Sequence, residues 1–314
     1  MRRHVVIGLF VVSVLTPAPA VAARVLRVGR YHGVRGQYSS IQAAVNAARP
    51  GDWVLVGPGD YKTTSGTAPG YASNEPTGVL ITKAHLRLRG MNRNGVVVDG
   101  TKSGPRCSSA ESDQNLGPND PSGGGPLGLN GIMVWKADGV WVQNLTACNF
   151  LHGSGNTGNE IWWNGGDGSA KIGGWGYYGS NLNATSTYFK DETTAAAYGI
   201  FTSNWSGGRW DQMYTSNFND SGFYIGACQQ VCNQTVNHVW SEFSILGYSG
   251  SNSGGSLLIE NSQFDNNQDG FSTNSQNGDN PPPQDGACPN GGTSPITHTH
   301  SCWVFMHNYV HDNN

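Results

Sequence analysis

The chain has 314 residues, of which 12% are charged and 45 are glycine, and its formal net charge is −3. Residues 24–106 hold twelve Lys/Arg against four Asp/Glu, whereas residues 107–314 hold four against seventeen, and no Lys or Arg follows Arg209. Too few cations remain in the later part to neutralise phosphates, so this composition argues against nucleic-acid binding.

The N-terminus has the pattern of a secretory signal. Basic residues after Met1 precede an apolar run from Val5 to Leu15, and cleavage is predicted after Ala22. A membrane anchor is the alternative, but the run is too short to span a bilayer comfortably. We therefore predict a leader over residues 1–22 and one exported, monomeric domain over residues 23–314, without a membrane span.

Cysteine content fits an oxidising compartment. The pairs Cys228/Cys232 and Cys288/Cys302 close short loops and are predicted disulfides, although six cysteines allow fifteen connectivities. The six are Cys107, Cys148, Cys228, Cys232, Cys288 and Cys302. A zinc site is the rival interpretation, but the paired Cys-x-x-Cys motifs that would support it do not occur.

A loose repeat dominates the later sequence. The segments 214–223 and 260–271 share a polar step, an aromatic residue, an Asn/Asp corner, and then glycine with a new apolar strand. Such a period is typical of a parallel-strand solenoid, in which Asn, Asp and Gly tolerate the corners. The predicted buried aromatic positions are Phe150, Phe189, Phe218, Phe243 and Phe264, spaced 39, 29, 25 and 21 residues apart.

The segment before these repeats begins with a helix. Residues 39–48 form a short amphipathic pattern in which Ser39 and Gln42 are placed as a capping box. Predicted strands follow at 53–56, 80–82, 86–90 and 96–100.

This order resembles the opening of right-handed parallel β-helix proteins of the pectin lyase-like superfamily, where the helix covers the first coil. The resemblance extends over most of residues 38–314 and implies an all-β, right-handed parallel β-helix with a short N-terminal capping helix. Lyases, hydrolases, epimerases and noncatalytic binders share this fold, so the resemblance implies no single function.

The last residues, 312–314, repeat the Asp-Asn-Asn corner at 265–267, and the next strand is missing. A solenoid interrupted within a coil would expose unpaired strand edges. We therefore expect this sequence to be a fragment of a longer gene product, truncated at its C-terminus.

Motifs of related enzymes narrow the chemistry. Residues 267–270 match the Asn-x-Asp-Gly element of polygalacturonase-like hydrolases, but the Asp-Asp, Gly-His-Gly and Arg-x-Lys elements that accompany it are absent. An inverting hydrolase needs two opposed carboxylates, so this single match is weak support. The Asp-Pro-His-Glu signature of alginate epimerases is also absent.

A lyase needs a base that removes the proton next to a uronate carboxyl, and cations that neutralise that carboxyl. In calcium-dependent lyases of the superfamily the base is a Lys or Arg. The predicted catalytic residues are therefore Lys190, which precedes Asp191, and Arg209, which is close to Asp211. Their alternative role is that of solvated surface charges.

Two further sets of residues are candidates for binding. Acidic corners could hold calcium through Asp265, Asp269 and Asp285, although turn formation explains such residues equally well. Four tryptophans could stack on sugars, namely Trp163, Trp175, Trp205 and Trp210, or could instead fill the solenoid.

The predicted function is that of a secreted, extracellular protein acting on polysaccharide, with calcium-assisted β-elimination of a uronate-containing glycan as the leading hypothesis. The alternative is a noncatalytic glycan-binding or structural β-helix protein of the cell surface.

Overall fold

The computed structural model describes residues 22–63, 67–69, 74–166, 171–191, 194–229, 231–274 and 286–314. Residues 1–21 of the predicted leader therefore lie outside the described part of the chain. Within that part, no helix has both the length and the apolar character needed to cross a bilayer.

Two long sheets make up the molecule. Sheet I contains thirteen strands: Val25–Val28, Trp53–Val56, Gly59–Lys62, Arg87–Gly90, Val96–Asp99, Val140–Cys148, Tyr177–Thr185, Gly208–Ser216, Gln234–Glu242, Leu257–Glu260, Gln263–Asp265, Trp303–Met306 and Tyr309–His311. Sheet II contains eight: Thr67–Pro69, Asn74–Ile81, Asn130–Trp135, Asn159–Asn164, Tyr198–Ser203, Ser221–Gln229, Leu246–Ser253 and Asp269–Asn274.

Neighbouring strands in these sheets come from successive turns of the chain. Sheet I pairs in parallel throughout, and sheet II does so except where Thr67–Pro69 meets Asn74–Ile81 in antiparallel fashion. The chain thus alternates between two parallel sheets, one coil at a time. The predicted parallel β-helix is confirmed, and so are the early strands that the sequence indicated.

Short elements complete the architecture. They are the helix Ile41–Ala47, the 3-10 turns Glu111–Asp113 and Pro289–Gly291, and the strand pairs Arg30–Tyr31 with Val34–Arg35 and Gly174–Trp175 with Trp205–Ser206. The helix buries Ile41, Ala44 and Val45 on one face, as expected of an amphipathic helix.

The helix cap differs from the prediction by one residue. Ser40, not Ser39, is the N-cap, and its hydroxyl accepts the amide of Ala43 at 3.3 Å. The Gln42 side chain reaches across to the backbone of Leu80 instead of closing a capping box. Gln42 therefore fastens the capping helix to sheet II.

The corners carry left-handed backbone, as the Asn-rich pattern predicted. Within sheet I, one such residue interrupts each later coil at an equivalent place. These residues have φ between 52° and 57° and are Asn144, Asn181, Gln212, His238, Asn261 and His307. Asn144 also donates its amide to the carbonyl of Gly90 on the preceding coil at 2.7 Å. Asparagine tolerates this conformation because its side chain bonds backbone groups locally.

The core lies between the sheets and is built from stacked side chains. An inner column runs through Val54, Leu88, Val142, Trp210 and Val236, all without exposed surface. Gly179 occupies this column between Val142 and Trp210. A Cβ there would lie 2.9 Å from the ring of Trp163 and 2.5 Å from Met213, so large neighbours require glycine at this place.

The predicted aromatic positions divide into two groups. Phe150, Phe218 and Phe264 are buried, in agreement with the repeat. The prediction was wrong for Phe189 and Phe243, which are 60% and 56% exposed. Phe243 occupies the left-handed corner and its side chain points away from the core, one residue before the place that the buried rings of Phe150 and Phe218 take in their coils.

Three disulfides staple the loops. Cys228–Cys232 and Cys288–Cys302 are confirmed, and Cys107 pairs with Cys148 across 41 residues of sequence. No described cysteine remains free. The Cys107–Cys148 bridge fastens the long excursion after Val96–Asp99 to the following coil of sheet I.

Two acids are buried within the coils. Glu160 is fully buried at the place that Gly131 and Gly199 occupy in adjacent coils, and it accepts the amide of Phe150 at 3.1 Å. Burial raises the pKa of Glu160 well above its usual value. Burial likewise raises the pKa of Glu75 to about 8, against the weaker effect of a hydrogen bond from Asn130.

The paired strands Gly174–Trp175 and Trp205–Ser206 supply a matched test of core packing. Trp205 has no exposed surface, so Trp205→Ala should lower the free energy of unfolding by about 3–5 kcal/mol. Trp175 is 56% exposed, and Trp175→Ala should change the free energy of unfolding by about 0.5 kcal/mol or less. Urea unfolding measures both, and equal effects would contradict the assigned burial.

Glu75 should make stability depend on pH. Its raised pKa means that the folded chain keeps a proton that the unfolded chain loses above the ordinary pKa of 4.5, so stability falls as pH rises from 4.5 to about 8. Glu75→Gln should remove this loss, which is on the order of 3–5 kcal/mol at pH 8. Thermal unfolding of the wild type and of Glu75→Gln at pH 4.5 and pH 8 measures this effect. A stability difference between the two proteins that is the same at both pH values would contradict the raised pKa of Glu75.

Candidate functional site

A straight row of aromatic and cationic side chains runs along the outer surface of sheet I. Backbone register places its members at equivalent positions on five successive coils: Trp53, Arg87, Trp141, Tyr178 and Arg209. We call these five residues the aromatic–arginine row. Parallel strands lie about 4.8 Å apart, so the row extends for roughly 19 Å.

Strand alternation explains why these side chains face outward. Their chain neighbours Val54, Leu88 and Val142 point into the core and have no exposed surface. Successive side chains of a strand point to opposite faces, so the row is directed away from the core. Its first four members are partly exposed and Arg209 is exposed.

Arg87 is held between two indoles. Its guanidinium carbon lies 5.1 Å from the ring centroid of Trp53 and 4.7 Å from that of Trp141. Trp141 in turn meets Tyr178 edge to face at 5.5 Å. Cation–π contacts of this kind orient a guanidinium while its N–H groups remain able to bind a carboxylate. The row therefore offers flat apolar rings and a pre-oriented cation side by side.

A parallel polar row lies two residues further along each strand. It passes from Arg89 through Gln143 and Ser180 to Asp211 and Asn237. Gln143 donates to Ser180 at 2.9 Å, and Asn237 donates to Asp211 at 2.6 Å. The early coils thus carry cations on this face, and a later coil carries a carboxylate. The N-terminal half of the face is therefore the better surface for an anion.

The two predicted catalytic cations have separate partners. Arg209 belongs to the aromatic–arginine row and lies 3.5 Å from the carboxylate of Asp211. Lys190 lies in the loop before Tyr198–Ser203, and its ammonium contacts Glu111 at 2.5 Å. Among the described residues, no ion pair or hydrogen bond connects Lys190 with Arg209.

Lys190 contributes to a cleft between two loops, together with Lys102, Glu111, Tyr188 and Asp191. The hydrogen bond from Lys190 to Glu111 raises the pKa of the ammonium above its usual value. Burial, followed by the charge of Glu111, raises the pKa of Tyr188. Both groups therefore hold their protons at neutral pH, which suits binding of an anion better than removal of a proton.

Three of the four tryptophans predicted to bind sugar are buried, and one is exposed. Trp163, Trp205 and Trp210 have no exposed surface and pack in the core; Trp163 stacks on Tyr177 at 4.8 Å. A ring without an exposed face cannot stack on a sugar, so for these three the structure replaces the predicted role with packing. Trp175 is 56% exposed and remains a candidate.

Two of the predicted calcium ligands, Asp265 and Asp269, lie within the described residues. The carboxylate of Asp265 accepts hydrogen bonds from Trp240 at 2.6 Å, Gln263 at 3.2 Å and Asn266 at 2.8 Å, and the residue is 5% exposed. Donors thus occupy the oxygens that calcium would need. Asp269 is exposed and accepts the amide of Phe271 at 3.2 Å. Asp285 lies outside the described residues, and calcium stays a prediction.

Carboxylates and cysteines come together elsewhere. Within the described ranges, the cluster of potential metal-binding side chains is Asp99 with Cys107 and Cys148. Both sulfurs belong to one disulfide, and the carboxylate of Asp99 already accepts a hydrogen bond from the ammonium of Lys62 at 2.9 Å. This group therefore stabilises the long loop rather than binding a metal.

Sequence reasoning missed most of the aromatic–arginine row. Each of its first four members precedes an inward-facing residue. Loops of different length intervene, however, so Trp53, Arg87, Trp141 and Tyr178 are separated by 34, 54 and 37 residues along the chain. The row could have been recognised by aligning the coils on their inward Val and Leu residues, since the outward residue before each would then fall in one column.

The chain is similar to solved structures of pectin methylesterases. No family model and no curated protein matches the chain. Similar solved structures include a deglycosylated pectin methylesterase from Aspergillus niger, at 16% identity over 93% of this chain and 92% of that chain with a TM-score of 0.42. A pectin methylesterase from Erwinia chrysanthemi shows 14% identity over 82% and 81%, with a TM-score of 0.35.

A third similar structure is a pectin methylesterase variant in complex with a hexasaccharide, at 14% identity over 79% of this chain and 80% of that chain, with a TM-score of 0.38. These values are too low to transfer an activity or a site. The parallel register of this chain defines its fold, and its own side chains define its candidate sites.

Proposed function

We propose that this chain is an extracellular β-helix protein that binds an extended acidic polysaccharide, a polyuronate, along the aromatic–arginine row. The observation that carries the proposal is the placement of Arg87 between Trp53 and Trp141 on the outer surface. Rings can stack on the apolar faces of sugars, and a guanidinium can bind the carboxylate of a uronate.

The geometry of the row supports a linear ligand. Its side chains repeat once per coil, at about 4.8 Å, and a sugar residue advances an extended glycan by a similar distance. Successive sugars can therefore meet successive coils without bending. The arginines of the first coils, Arg27, Arg87 and Arg89, add positive charge along the same end of the face.

The three disulfides are compatible with export, because such bridges form and persist in oxidising compartments. A polysaccharide outside the cell is therefore a consistent ligand. Calcium is not needed for this binding, since the charges that meet the uronate belong to arginine.

Arg87→Gln and Trp141→Ala should each weaken the binding of polygalacturonate oligosaccharides by about tenfold, since each contact is worth on the order of 1–2 kcal/mol. Isothermal titration measures the affinity, which should also fall as salt increases. Tyr309→Ala removes a 72% exposed ring from the far end of the same sheet and is the matched control. Unchanged affinity in both row variants would refute the proposal.

β-Elimination is a second candidate function, favoured by the placement of Lys190 with Glu111 and Tyr188 in one cleft. Such a reaction would transfer the proton next to the uronate carboxyl to a base. The electron pair left behind would form a carbon–carbon double bond as the bond to the leaving sugar oxygen breaks, and that oxygen would take up a proton. Lys190 could accept that proton only after losing its own. Because Glu111 raises the pKa of the ammonium, we place elimination second to binding.

Ultraviolet absorbance of unsaturated uronate ends distinguishes the two candidates. With pectate or alginate at neutral pH, we expect no rise in absorbance, with calcium or with chelator, because Lys190 remains protonated. A rise confined to alkaline pH and abolished in Lys190→Ala would instead establish elimination in this cleft. A rise that chelator abolishes and Lys190→Ala does not would assign a calcium-dependent reaction to another site.

A further inference from the structure

A second cleft opens beside the corner that follows sheet I. Its volume is about 380 Å³, and the rings of Phe189 and Phe243 line it with Phe218. Phe218 is buried, whereas Phe189 and Phe243 are 60% and 56% exposed. Two exposed rings therefore border a cleft whose floor belongs to the core.

Phe243 is unusual for its backbone as well as its exposure. It has φ of 56° and stands in register with Asn217, Asn266 and Asp312, which have φ of 67°, 56° and 52°. Asn and Asp tolerate this conformation, but a bulky side chain is strained by it. The strain is not offset by burial, because more than half of the ring surface is exposed. Strain of this kind at an exposed position points to function rather than packing.

Apart from the buried hydroxyl of Ser244, the polar side chains around the rings are amides. Asn217, Asn266 and Gln268 are exposed and line the cleft, together with the buried Asn267. Among the described residues that line it, no side chain is ionisable. This combination contrasts with the aromatic–arginine row, where cations accompany the rings. An anionic sugar would find no opposite charge here.

We propose that the cleft between Phe189 and Phe243 is a binding site for a neutral sugar, such as an uncharged pyranose residue of a glycan. The rings of Phe189 and Phe243 contact its apolar faces, and the amides of Asn217 and Gln268 bond its hydroxyls. The site is separate from the polyuronate surface proposed above and does not depend on it.

Phe243→Asn tests the site with little risk to folding. Asparagine is the residue at this corner in the two adjacent coils, so the variant should unfold at the same temperature as the wild type or higher. Its affinity for a neutral sugar should fall by about tenfold or more, because it loses a stacking ring. Ile296→Asn removes a 55% exposed apolar side chain from another loop and is the control.

The probes are neutral oligosaccharides of glucose, galactose, mannose and xylose, and binding is followed by saturation-transfer NMR on the intact protein. Binding of at least one probe, retained in Ile296→Asn and weakened in Phe243→Asn, supports the proposal. It is overturned if none of these probes binds, or if Phe243→Asn binds them as the wild type does.

Sedimentation velocity gives an independent outcome. If the wild type self-associates with increasing concentration and Phe243→Asn does not, the exposed rings serve contact between two copies of the chain, and the sugar proposal is rejected. Polygalacturonate binding should be unchanged in Phe243→Asn. Failure of this neutral-sugar site is thereby distinguishable from failure of the acidic-glycan surface.

Discussion

The stacking of each coil on the one before it is the constraint on which the rest of this molecule depends. No single coil buries its own apolar residues, and each strand obtains its hydrogen bonds from the strands of adjacent coils. Once the backbone is in register, residues far apart in sequence must lie in straight columns about 4.8 Å apart. Core columns, corner columns and surface rows are consequences of this one arrangement.

The same constraint explains both the core and the candidate site. Inward positions such as Val54 and Leu88 form a buried column, so the residues before them, Trp53 and Arg87, must form an outward row. A column tolerates a residue of a different kind where the side chains around it compensate. Gly179 leaves space for Trp163, and Glu160 replaces a glycine only as a buried acid whose pKa is raised by desolvation.

The two proposed glycan surfaces differ in charge because they occupy different columns. Early coils contribute arginines to the outer surface of sheet I, and these can meet carboxylates. The cleft at Phe243 lies among Asn and Gln corners and carries no charge on its described side chains. A chain with few charged residues can thus present one surface suited to an acidic glycan and another suited to neutral sugar.

The sequence by itself determined the fold class, the capping helix to within one residue of its start, the Asn corners and two of the three disulfides. These are local properties: apolar spacing, left-handed backbone preference and short loop closure are written in adjacent residues. Its predicted buried rings were right at Phe150, Phe218 and Phe264 and wrong at Phe189 and Phe243. At Phe243, a shift of one residue at the corner turns the side chain from the core to the solvent.

Only the tertiary structure decided the candidate sites. Whether Trp205 or Trp175 could meet a sugar depended on burial, which sequence neighbours do not specify. Lys190 acquired its partner Glu111 from 79 residues away, and Trp53, Arg87 and Trp141 became neighbours only through coil register. Because the loops between coils vary in length, spacing along the chain carried no information about these contacts, and stacking of the coils created them.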